Sequence, residues 1–165
     1  MGYTAQVRTT FPRSNIVKRL VAVLVFLAAC STSAAQQRPA TTVSGNVVGA
    51  DTPRQAVQAF LAAAHAQDLR AMSLVWGTND GPARDVVQAS QLEKRELIMQ
   101  CYVSHDSYSV LSDVPGEKGA RILAVSLTKG QLARQSKFTA VKGRGDRWFV
   151  EDVQLEPLKD LCAAS

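Results

Sequence analysis

Acidic residues are missing from the first fifty positions of this 165-residue chain, and Asp51 is the first. Long apolar runs are missing as well. The stretch Leu20–Ala29 spans ten residues, about half of the roughly 20 that a membrane-crossing helix needs. Histidine occurs twice and cysteine three times. Neither type recurs at the short spacing of a metal site, so no metal and no cofactor is expected. A basic block is absent too. The full chain is +5, but four of its 19 basic residues and none of its 14 acidic ones lie before Cys30. The remainder holds 15 basic against 14 acidic residues, with the signs interspersed. Nucleic-acid binding, which needs a basic stripe, is therefore excluded as a reading.

What is present begins at the N-terminus. Arg8, Arg13, Lys18 and Arg19 precede the apolar run, and the small residues Ala28 and Ala29 close it before Cys30. These are the parts of an export signal. Leu27-Ala28-Ala29-Cys30 resembles the lipobox of bacterial lipoproteins. The resemblance implies diacylglycerol on the Cys30 thiol, removal of residues 1–29 and a membrane partner held through lipid. Two or three acyl chains make such a tether durable, where one alone holds only marginally. Ser31 stands where Asp would retain a lipoprotein at the inner membrane. In a diderm cell it implies the outer membrane, facing the periplasm. An ordinary secretory signal cleaved near Ala34-Ala35 and an uncleaved anchor are the other readings.

Export sets the redox environment. Cys101 and Cys162 remain after Cys30, an even pair in an oxidising compartment, and a disulfide between them is expected. Two buried thiols are the alternative. Residues 30–50 are rich in Ser, Thr, Ala, Gln and Gly and read as a flexible tether. Residues 51–165 then form a single domain of ordinary size.

Thr52-Pro53-Arg54-Gln55 opens a helix to about Gln67, with Val57, Phe60, Leu61 and Ala64 on one face. Asp68 caps a second helix whose buried face is Leu69, Met72, Val75 and Trp76, and which ends at Gly77. The turn signal Asn79-Asp80-Gly81-Pro82 makes 78–90 largely loop. Ser90-Gln91-Leu92-Glu93 reads as a capping box for a third helix to about Tyr102, with Leu92, Ile98, Met99 and Tyr102 inward. The period then changes to two, and four strands follow around turns at Pro115-Gly116, Lys129-Gly130 and Gly143–Asp146. In the last strand Trp148 and Val150 are out of phase with Val153 and Leu155. A β-bulge near Glu151-Asp152 would reconcile them.

Helices first and an antiparallel meander after them make an α+β domain. The expected form is three N-terminal helices packed on a curved four-stranded antiparallel sheet. Element order, the Val57–Phe60–Leu61 face, Trp76-Gly77 and Trp148-Phe149-Val150 are similar to the nuclear transport factor 2-like superfamily, which includes SnoaL-like proteins. The resemblance covers Asp51 to about Pro157 and implies a cone with a pocket inside. A cystatin-like arrangement with one long helix is the competing topology.

That superfamily holds enzymes (isomerases, cyclases, dehydratases) and also non-catalytic binding and assembly domains, so activity must be argued from residues. His105 at a helix–strand junction could act as a base, with Tyr102 and Tyr108 as hydrogen-bond donors. Asp152 could enter the cone as a buried carboxylate. Each has a simpler account. His105 and Asp106 read as solvated junction residues, the tyrosines as core bodies, and Asp152 as an outward charge. His65 suits the C-terminal end of the first helix through its dipole. No tight catalytic constellation emerges. The expected function is that of a lipid-anchored envelope protein without catalysis. It would bind a small apolar ligand or an envelope protein, or pair with itself through the sheet face. The alternative is a small cone-fold enzyme of isomerase, dehydratase or hydrolase type.

Overall fold

The computed structural model describes residues 48–164. The signal, the lipobox with Cys30 and most of the tether lie outside the described residues. Among those described, no helix is long and apolar enough to cross a membrane.

The domain is α+β. Helix α1 (Pro53–His65) starts where Thr52 Oγ1 accepts from the Gln55 backbone N–H, with Pro53 inside the first turn. Its Ala56, Val57, Phe60, Leu61 and Ala64 are buried, a stripe of helical period. Helix α2 (Leu69–Val75) is capped by Asp68, whose carboxylate accepts from Ala71 N–H.

The next segment is more ordered than a loop. Strands β1 (Gly77–Thr78) and β2 (Gly81–Pro82) form a two-stranded hairpin around Asn79-Asp80, and a one-turn helix α3 (Ala83–Val86) follows. Gly77 is obligatory here, because a Cβ would stand 2.3 Å from the Gly81 carbonyl oxygen. Helix α4 (Ala89–Tyr102) begins two residues earlier than the capping box would place it. Its N-cap position is Gln88, which makes no side-chain cap, and Ser90 lies inside the helix. Its buried face is Leu92, Glu96 and Met99. Ile98, expected inward, is 55% exposed. Helix α4 lies mainly against α2 and the C-terminal helix α5 (Lys159–Ala163). Among the described residues, four α-helical segments therefore precede the sheet, where three were expected, and a fifth follows it.

The sheet is an antiparallel meander of β3 (Ser107–Pro115), β4 (Arg121–Lys129), β5 (Leu132–Lys142) and β6 (Trp148–Val153) in sequence order. One face carries Leu123, Val125, Leu127, Phe138 and Ala140 into the core beneath α1. Phe60 meets Phe138 edge-on at 6.3 Å. The other face is mixed: Ser107 pairs with Thr128, Ser109 with Ser126 and Ser126 in turn with Gln135, while Val114, which is exposed, pairs with Ile122. Two bulges interrupt the register. One falls at Leu111, between Val110 and Ser112. The other falls at Glu151, since Asp152 pairs with Thr139 while Val150 pairs with Ala140. The second returns Val153 to the buried phase of Val150.

The ordered domain begins before Asp51. Ala50 exchanges both backbone hydrogen bonds with Trp148, and Gly49 N–H donates to the Leu74 carbonyl. Arg147 clamps the same stretch. Its guanidinium donates to the Val48 and Gly49 carbonyls and pairs with the Asp51 carboxylate. Residues 48–50, expected in the tether, belong to the fold.

Candidate functional site: a histidine cleft at the end of α1

The fold brings together two histidines that are 40 residues apart in sequence. His65 is the last residue of α1, and His105 follows α4 just before β3. Their ring centroids lie 5.3 Å apart with the planes tilted by 40°. His65 Nδ1 is 2.9 Å from the His105 carbonyl oxygen, and His105 Nδ1 is 2.8 Å from the Val103 carbonyl oxygen. A carbonyl can only accept, so Nδ1 carries the proton in both rings. Each neutral ring then has its lone pair on Nε2.

The two rings differ in exposure. His65 is exposed, while His105 is 7% exposed, with Tyr108 edge-on to its ring at 5.4 Å. This corrects the expectation of a partly exposed His105. The carbonyl of Val103 satisfies its Nδ1–H, and Tyr108 covers a ring edge, so burial leaves that donor paired. Burial pulls the His105 pKa below the ordinary imidazole value, and nearby His65 adds to this. The Val103 hydrogen bond and Asp106 act in the opposite sense. Asp106 has a task of its own. Its carboxylate accepts from Gly130 N–H at 2.7 Å and pins the β4–β5 turn.

Between the end of α1 and the end of α4 lies a cleft of about 220 Å³. Its walls include both histidines, Gln67, Gln100, Ser104 and Cys101. Gln67 holds a left-handed backbone at φ +56, uncommon for a residue with a Cβ. Cys101 and Cys162 are joined as a disulfide, with Cα atoms 4.8 Å apart, so α5 is stapled to α4 directly beside the cleft. Lys129 Nζ donates to the Leu161 carbonyl, and Arg134 pairs with Asp160, which hold α5 to the sheet as well.

The other sequence candidates fall differently. Tyr108 joins His105, and burial raises its phenol pKa. Tyr102 is half-buried at the end of α4 and is not among the residues lining the cleft. Asp152 is exposed opposite Thr139, so a buried carboxylate there is ruled out: the bulge at Glu151 leaves it on the outer phase of β6. One buried acid was missed. Glu96 is 4% exposed on the inner face of α4, and its Oε1 is the one fully buried side-chain polar atom without a hydrogen-bond partner among the described residues. Burial, with Glu93 nearby, pushes its pKa up to about 7. Helical spacing could have found it, since Glu96 falls between Leu92 and Met99 at i+4 and i−3.

In comparisons with known proteins, no family model, no curated protein and no solved structure matches the chain.

Proposed function

We propose that the protein is a lipid-anchored binding module of the cell envelope, tethered through an acylated Cys30 and without catalysis of its own. The observation that carries this reading is the Cys101–Cys162 disulfide, which suits an oxidising compartment. It agrees with the basic n-region, the ten-residue apolar run and the Leu27–Cys30 motif. The finer fold in this reading is the cone of the nuclear transport factor 2-like superfamily, with α1, α2 and α4 as its three helices. The bulges at Leu111 and Glu151 support a bent sheet.

Recognition at the surface is supported over recognition inside the cone. Phe60, Phe138, Leu123 and Val125 fill the space between α1 and the sheet and are fully buried. The histidine cleft is the surface assigned to a ligand. A second reading, a small cone-fold enzyme, draws on the His105–Tyr108 contact. Against it, carbonyl groups orient both imidazoles where a catalytic base is more often held by a carboxylate.

Mass spectrometry of protein extracted from membranes tests the anchor. The expected N-terminus is an acylated Cys30, and Cys30→Ala should move the protein out of the detergent phase or leave the signal uncleaved. An unmodified N-terminus beyond Cys30 in the mature protein refutes the anchor.

A further inference from the structure

We infer that the His65–His105 cleft is a binding site for an imidazole-preferring divalent metal ion, with Cu²⁺ the tightest ligand and Ni²⁺ and Zn²⁺ weaker. The inference goes beyond the anchored-module reading and holds whether or not Cys30 is acylated.

Four observations lead to it. Both Nδ1–H groups are committed to backbone carbonyls, so both rings present Nε2 as an acceptor. A backbone carbonyl on the far nitrogen is the usual outer support of a metal-bound histidine, since it fixes tautomer and ring orientation. Second, the ring spacing fits. Two imidazoles bound through Nε2 at about 2.0–2.1 Å, at roughly tetrahedral angles, place their ring centres about 5 Å apart. The observed separation is 5.3 Å. Third, His105 Nε2 is not a sealed, unpartnered core atom. It makes no hydrogen bond among the described residues, yet it is not among the fully buried unpartnered atoms. The cleft, which His105 lines, is its way out. Fourth, the mouth is polar: Gln67, Gln100 and Ser104 offer oxygens to the ion or to its waters.

The donor set also decides which ions are held. Two imidazole nitrogens, with the neighbouring Asp106 carboxylate engaged by Gly130 N–H, suit a borderline metal and give little to Mg²⁺ or Ca²⁺, which need oxygen ligands. Among the described residues no group of three His, Cys, Asp or Glu side chains is assembled for a metal. The site is therefore open, with water or a further ligand completing the coordination. The order of affinity follows the Irving–Williams series.

The test uses the full chain without a purification tag, with Cys101 and Cys162 oxidised and Cys30→Ala to remove the competing thiol. Calorimetric titration with Cu²⁺, Ni²⁺ and Zn²⁺ should give one site per chain, tightest for Cu²⁺. His65 is exposed, so His65→Gln should fold as the parent does by circular dichroism. It should weaken Cu²⁺ binding by about tenfold or more, since losing a ligand costs at least what losing an outer support does. Pulsed EPR of the Cu²⁺ complex should count two imidazole nitrogens in the parent and one in His65→Gln, a readout that does not depend on His105 variants folding. No Cu²⁺ bound by the parent, an affinity indifferent to His65→Gln, or fewer than two coordinated imidazoles in the parent would each overturn the site. None of these outcomes bears on the acylation of Cys30.

Discussion

Glu96 occupies a position that the rest of its face gives to Leu92 and Met99. A buried carboxyl with an unpartnered oxygen is tolerated best when protonated. Its folded pKa of about 7 lies above the ordinary 4.5. The folded state therefore binds more protons than the unfolded chain between those values. Glu96 contributes stability that is full below about pH 4.5 and is lost as pH rises through about 7. Glu96→Gln should remove that fall and be more stable than the parent at pH 8, by about 1–3 kcal/mol. Thermal unfolding at pH 5 and pH 8 checks it, and an equal fall in both proteins would refute it. His105 acts with the opposite sign. Its folded pKa is below 6.5, so its contribution is full above that pH and is lost as pH falls through the folded value. The acid-side fall should survive in Glu96→Gln. His105 itself was visible in the sequence as a junction residue. Its partner was not, because nothing in a 40-residue separation reports that the end of α1 meets the end of α4.

The helices and strands were legible where a local device sets them. Thr52 and Asp68 cap α1 and α2 as their side chains dictate. The phase slip between Val150 and Val153 located the bulge at Glu151, because a period of two cannot absorb an extra residue silently. Helix α4 was harder to read. Apolar and charged residues are mixed around it: Ile98 is exposed and Glu96 buried, so its periodicity misleads about both face and start. The β1–β2 hairpin is two residues on each side, too short for any alternation to declare itself. The disulfide belongs to this scale too. It ties the short helix α5, which could not persist alone, to α4 across a separation of 61 residues. A loop of that length corresponds to about 4 kcal/mol of closure entropy. Cys101→Ser or Cys162→Ser should lower stability by about 2–4 kcal/mol in chemical denaturation. Hydrogen exchange should show the loss first in Lys159–Ala163. Unchanged protection of α5 in either variant would refute the staple.

At the scale of the whole molecule, the α+β class and the four-stranded meander follow from element order. The boundary of the domain does not. Composition alone places residues 48–50 with the Ser- and Thr-rich stretch before them, yet Arg147, about a hundred residues later, draws them into the fold. Arg147→Ala removes the bonds to the Val48 and Gly49 carbonyls and the pairing with Asp51. A loss of about 1–2 kcal/mol is expected, with two carbonyls returned to water. Limited proteolysis should then cut within residues 48–52 faster than in the parent, with the α1–β6 body intact. Equal cutting rates would show that the Ala50–Trp148 bridge alone holds the entry.

The same clamp sets how the domain meets mechanical load. A pull on the chain ahead of Val48 reaches the fold at Arg147 and at the paired hydrogen bonds of Ala50 with Trp148, before it reaches α1. Tension is thus passed sideways into β6 and the sheet, where several bonds share it. The last turn of α1, which holds His65, lies downstream of that junction and is shielded from such a pull.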